Sequence, residues 1–112
     1  MRRKSDLGDL EQTVLLAVWR LGDEAYGLAV RDEIASRMGR KISVSSAYLT
    51  MVRLQEKGLL RSQMAEPIPV QGGKARRFFH ITRSGTTALR RLRKGMNQMW
   101  EGFDEGRTEA RA

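Results

Sequence analysis

No cysteine occurs in this sequence, so it has no disulfide framework, no thiolate nucleophile and no zinc finger. That absence is compatible with a reducing cytoplasm. There is one histidine, His80, and no Walker-type phosphate loop or spaced His/Asp/Glu metal cluster. Asp32 and Glu33 are adjacent and diverge around a helix, so they form no acid/base pair. Little is therefore left for an enzyme reading, and no cofactor is implied. Aromatics make up 6% of the chain, so the core must be mostly aliphatic. The longest apolar run, Val14 to Trp19, is far below the roughly 18 residues that mark a membrane span. Arg2, Arg3 and Lys4 are followed by Ser5, Asp6, Gly8 and Asp9, where a signal peptide would need apolar residues. The expectation is a cytoplasmic chain with no membrane partner.

What is present is charge, unevenly placed. From Arg37 to Lys94 there are fourteen Lys or Arg against two acids, Glu56 and Glu66, which exceeds the net +8 of the whole chain. A block this basic implies a polyanion partner, and double-stranded DNA above all. The alternative is a solvated basic face. A length of 112 residues fits one modest domain and is poorly suited to enclosing a large enzyme cleft.

Helical periodicity runs from Asp9 to Leu21 through Leu10, Val14, Ala17, Val18 and Leu21, with Gly22 after it as a stop. A second helix fits Gly27 to Met38, with Val30, Ile34 and Met38 at four-residue steps and Gly39 beyond. A third fits Ser45 to Lys57, with Ser43 as N-cap and Gly58 after its end. Leu59 to Ala65 loses the helical period and leads into Glu66 to Gly73, whose two prolines and paired glycines make a hairpin tip. Arg77 to Ile81 returns as a strand, Phe79 and Ile81 on one face and Phe78 and His80 on the other. A last helix starts after Thr82, a good N-cap, and is expected to reach Phe103. Leu89, Leu92, Met96, Met99 and Phe103 follow its a/d rhythm over two heptads, with Trp100 beside them. That stripe either packs on its own domain or forms a homodimer seam. A helix of about 22 residues extends ~33 Å, beyond so small a domain, which favours the seam. Gly95 and Gly102 lie on one side of it, where a neighbouring chain can approach.

This order is that of a mostly α fold with a two-stranded β-wing: a winged helix-turn-helix over 1–82, a dimerisation helix over 83–103, and a tail over 104–112 without periodicity, expected to be disordered. The wording also resembles the PadR-like transcriptional regulators. The resemblance lies in Leu10-Glu11-Gln12, Val14-Leu15-Leu16-Ala17-Val18, Ala25-Tyr26-Gly27, Tyr48, Thr50, Arg53-Leu54 and Glu56-Lys57-Gly58-Leu59-Leu60. It continues in Glu66-Pro67, Gly72-Gly73-Lys74, Arg77-Phe78-Phe79, Ile81-Thr82, Gly85 and Ala88-Leu89, and so covers Leu7 to Leu92. The short remainder looks like the branch of the family with a single C-terminal helix. The resemblance implies a dimeric, usually repressing transcription factor whose last helix forms much of the dimer interface, often responsive to a small molecule. The chain departs from the family pattern at Val44-Ser45, where a Gly or Pro-Gly pair commonly opens the reading helix, and at Leu49, often proline in relatives.

On the third helix Ala47, Met51 and Leu54 fit an inward stripe, which assigns Ser45, Ser46, Leu49, Thr50 and Arg53 to the reading side, with Ser43 at its start. Hydroxyls can bond phosphates or base edges, Leu49 can touch a thymine methyl, and Arg53 can take guanine or phosphate. Tyr48 can pack its ring on the core and offer its hydroxyl to a phosphate. The family motif also has it. Lys74, Arg76 and Arg77 arm the wing, with Arg77 the more apt to be an ordinary strand residue. Arg2, Arg3 and Lys4 can form an arm, though terminal disorder is the plainer expectation. Arg90, Arg91, Arg93 and Lys94 solvate the last helix. Trp19, Met96, Met99 and Trp100 are candidates for a pocket taking a small apolar or aromatic effector, against simple interface packing. The expected function is a sequence-specific DNA-binding regulator acting as a repressor; the competing class is a winged-helix module for protein or RNA partners.

Overall fold

The structure is a computed structural model that describes residues 7–65 and 76–105. Arg2, Arg3 and Lys4, the hairpin tip with Lys74, and the tail from 106 onward lie outside the described residues. Helix α1 spans Asp9–Leu21, α2 Gly27–Met38 and α3 Val44–Glu56, with a short 3-10 turn, Gly22–Glu24, between the first two. Strands β1, Leu60–Met64, and β2, Arg77–Ile81, form one antiparallel pair in which Leu60 faces Ile81 and Met64 faces Arg77. Helix α4, Arg83–Trp100, closes the order.

Three of the four helix starts are satisfied by local side chains, those of α1, α3 and α4. The backbone N–H of Gly8 donates to Glu11 Oε1 at 2.9 Å. Ser43 Oγ accepts from Ser46 N at 2.9 Å, as an N-cap should, and Thr82 Oγ1 accepts from Gly85 N at 3.1 Å. Gly22, Gly39 and Gly58 all take positive φ after a helix, a conformation that needs no Cβ relief only in glycine.

The core is aliphatic around one aromatic ring. Val14, Leu15, Val18, Val30, Met51, Leu54 and Phe79 are all buried, so α1, α2 and α3 meet over β2. Phe79 also ties the strand to the helices through its backbone, its N–H donating to Ala25 O at 2.8 Å. The segment between α1 and α2 thus lies along β2, which fixes the wing against the three helices. Thr82 anchors α4 to the same corner: its hydroxyl donates to Gly58 O at 2.8 Å and its N–H to Leu59 O at 3.1 Å.

Helix α4 leaves this body as it proceeds. Ala88 and Leu89 pack on the core margin, but Met96 is 46% exposed and Met99 80%. The helix is also shorter than its heptads predict, ending at Trp100 and not at Phe103. Gly102 takes a φ of 84° there, and Phe103 begins a separate 3-10 turn in which its ring meets Trp100 edge to face at 4.8 Å. No helix among the described residues is long and apolar enough to cross a membrane.

Candidate nucleic-acid interface

Helix α3 presents a clear division. Ala47, Thr50, Met51 and Leu54 are its buried residues, spaced three, one and three apart, and they define the inner face. Ser45, Leu49 and Arg53 follow one another at four-residue steps on the outer side, and all three are exposed. Arg53 pairs with no carboxylate among the described residues, so its guanidinium remains available, whereas Glu56 stands at the helix end.

Thr50 does not belong to this outer group. It is 2% exposed and its hydroxyl donates to Ser46 O at 2.7 Å, one turn back. The expectation of a reading role is therefore corrected: the methyl packs inward and the hydroxyl is already satisfied by the helix itself. Thr50→Ala is expected to lower stability in urea unfolding by about 1–2 kcal/mol through the lost methyl and hydrogen bond. Base preference should be unaffected; a changed preference at unaltered stability would return the hydroxyl to the surface. Ser46 is half-buried and Ser43 exposed, and the Ser43 hydroxyl oxygen is engaged as the cap.

The base of the wing is held against the helices by two arginine–tyrosine contacts. Arg77 Nη1 donates to Tyr48 Oη at 3.0 Å, and the Arg76 guanidinium lies 4.6 Å from the centre of the Tyr26 ring. Each tyrosine is braced in turn by an edge-to-face ring contact, Tyr26 with Phe78 and Tyr48 with Phe79. Tyr26 N-caps α2, where Gly27 keeps the approach close: a Cβ on Gly27 would come within 3.2 Å of Val44 Cγ1. The start of α2, the start of α3 and β2 thereby line one concavity, which includes Leu28, Leu49, Arg76 and Arg77. Sequence reasoning missed Tyr26, Leu28 and Val44 as parts of this surface. The Ala25-Tyr26-Gly27 motif signalled Tyr26, but only the fold brings it to Arg76.

Part of the basic block is paired with acids of the same chain. Arg37 pairs with Glu33 at 2.7 Å, Arg40 with Asp9 at 2.7 Å and Lys57 with Glu11 at 2.8 Å. Glu33 pairs with Arg37 within α2, whereas Asp9 and Glu11 of α1 match Arg40 and Lys57 from distant parts of the chain. His80 is a structural neighbour of the acidic 3-10 turn, its Nε2 3.5 Å from Asp23 Oδ1. Among the described residues there is no group of three or more His, Cys, Asp or Glu that could hold a metal.

A second concavity lies between α1 and α4, lined by Leu16, Trp19, Leu89, Leu92 and Met96. Trp19 and Met96 are thus brought together, as the effector expectation requires. Met99 and Trp100 are farther along α4 and do not line this groove in a single copy.

The comparisons with known proteins agree with this geometry. The PadR-like family model of transcriptional regulators matches residues 15–91. Among solved structures, the chain is similar to a PadR family transcriptional regulator from Eggerthella lenta, with 27% identity and a TM-score of 0.68 over 87% of this chain and 84% of that one. A PadR-like regulator from Bacillus cereus, at 20% identity, superposes with a TM-score of 0.66 over 86% of this chain and 88% of the other. The winged-helix DNA-binding protein F93 from STIV, also at 20% identity, gives 0.60 over 79% and 87%. No curated protein matches the sequence. With the three-helix unit, the wing and the matched family covering most of the chain, this protein belongs to the PadR-like family of transcriptional regulators, built on a DNA-binding winged helix and not an enzyme.

Proposed function

We propose that two copies of this chain bind a two-fold related operator, each α3 in a major groove and each wing along the flanking DNA. The observation that carries this reading is the convergence of Ser45 and Leu49 on the outer face of α3 with Arg76 and Arg77 in one concavity. Ser45, Leu49 and Arg53 face the bases while Arg76, Arg77, Ser43 and the Tyr48 hydroxyl meet sugar and phosphate. The α4 stripe joins the two copies, so that the reading heads fall about one helical turn, ~34 Å, apart. Lys74 at the wing tip adds a phosphate or minor-groove contact.

Repression is the regulatory sense that needs DNA occupancy alone. An apolar or planar aromatic effector entering beside Trp19 and Met96 in the paired groove would alter the spacing or tilt of the heads and release the operator. Met99 and Trp100 would reach that pocket from the partner copy.

The test is selection of bound duplexes from a random pool at physiological salt, followed by fluorescence-anisotropy titration. One two-fold related sequence should emerge, bound roughly a thousandfold or more tighter than its shuffled counterpart. Equal affinity for the two would assign the fold to protein or RNA interaction instead.

A further inference from the structure

The centre of the α3 outer face is apolar. Leu49 is 54% exposed, one turn after Ser45 and one turn before Arg53, and Val44 at the helix start is 37% exposed. Leu28, 40% exposed, comes from α2 to line the same concavity. Single exposed aliphatic side chains need no explanation. Three from two helices in one hollow, with Arg76 and Arg77 at its edge, make an apolar patch rimmed by cations. A major groove offers the complementary pattern: phosphates along its walls and, among its base-edge groups, one apolar group, the thymine C5-methyl.

The side-chain inventory of α3 points the same way. From Val44 to Leu54 the helix contains no Asn, Gln, Asp or Glu. Bidentate reading of adenine and acceptance from the cytosine amino group therefore have no agent over this stretch. Ser45 can bond either donors or acceptors and discriminates little. Thr50 is withdrawn into the core. Apart from Arg53, base selection between Val44 and Leu54 falls to apolar contact.

We propose that this protein selects its half-site through C5-methyl groups in the major groove, with Leu49 as the principal specificity-determining residue and Val44 and Leu28 extending the contact. The inference rests on α3 being the helix that enters the groove. It makes thymine, at one or two positions of each half-site, the base whose methyl is required, and its O4 acceptor secondary.

Uracil supplies the test, since an A·U pair keeps every hydrogen-bonding group of A·T and removes only the methyl. In the selected duplex each thymine is replaced singly by uracil, and affinities for the full-length protein are measured by anisotropy. Ionic strength is kept low enough that phosphate contacts hold weakened variants on the DNA. At one or two positions per half-site, uracil should weaken binding about fourfold, the worth of burying one methyl carbon, and about fifteenfold when both half-sites are changed. Leu49→Ala should bind the thymine and uracil duplexes alike at those positions. Equal binding of thymine and uracil at every position by the wild-type protein would overturn the inference while leaving the operator reading intact. So would discrimination that survives in Leu49→Ala. A pool that yields no preferred sequence would overturn the operator reading itself, and this inference with it.

Discussion

Gly85→Ala is expected to lower the melting temperature by about 10 °C or more and to loosen α4 from the body, although it adds a single methyl group. Gly85 is buried in the first turn of α4, and a Cβ built there would overlap Leu59 O and come within 2.7 Å of Ile81 Cγ1. The obstacle is backbone. Leu59 O is held by Thr82 N at 3.1 Å, and Leu59 N by Leu54 O at 2.9 Å, so the carbonyl cannot turn aside without breaking the corner that joins α3 to the wing. Overpacking of this kind costs about 1–3 kcal/mol, and each kilocalorie is roughly 4–8 °C in a domain of this size. Ordinary helix propensity predicts the opposite sign, since alanine is favoured over glycine inside a helix by about 1 kcal/mol. Thermal unfolding followed by circular dichroism separates the two: a melting temperature equal to or above that of the wild type would mean that α4 does not lie as close to Leu59 as the structure has it.

The corner at Gly85 also marks where sequence patterns stop being informative. The three leading helices, the two strands and both hydroxyl N-caps are legible because each is dictated by neighbours within a turn or two. Thr50 shows how such reasoning goes astray. The buried positions Ala47, Thr50, Met51 and Leu54 form an unbroken helical stripe, and periodicity alone would have placed Thr50 inside. Its polarity suggested otherwise, but a threonine hydroxyl can be satisfied by the carbonyl one turn back at no cost in burial. Gly102 is a similar case. Glycines end the first three helices, yet the apolar rhythm through Phe103 argued for carrying α4 past this one, and the backbone turns at it.

Other features depend on distance along the chain. The Lys57–Glu11 and Arg40–Asp9 pairs join residues far apart in sequence, so a count of charges by segment overstates the free basic surface. Among the described residues, Arg53, Arg76 and Arg77 remain around α3 without a carboxylate partner. Likewise the Tyr26–Arg76 and Tyr48–Arg77 contacts cross from helix to wing, and no periodicity contains them. What they do is mechanical: they hold the two arginines at a fixed setting relative to the starts of α2 and α3, which on the proposed reading would reduce the ordering cost of binding DNA.

Met96→Glu is expected to turn the protein into a monomer and to weaken operator binding by roughly a hundredfold or more. The reasoning begins with the exposures along α4, where Met96, Met99, Trp100 and Phe103 leave about half or more of their surfaces in water while Leu16 and Trp19 do the same across the groove. A contiguous apolar strip of this extent implies a partner surface. Gly95, where a Cβ would meet nothing within 4 Å, leaves room for a neighbouring backbone to come close. A carboxylate at position 96 would be buried beside Leu16, Trp19 and Leu92 in the paired groove between α1 and α4, at a desolvation cost that Arg90 and Arg93, which also line that groove, offset only in part. Once the copies separate, the two half-sites are no longer bound as one, and the effective-concentration advantage of about 10²–10⁴ is lost. Asn97→Glu provides the contrast, because Asn97 lies with Lys94, Gln98 and Glu101 and does not line the groove between α1 and α4. That variant should remain dimeric and bind the operator nearly as the wild type does. Sedimentation equilibrium reads the first effect and anisotropy the second. A Met96→Glu protein that still sediments as a dimer would remove α4 from the interface, whereas a monomer with undiminished operator affinity would show that one reading head is enough.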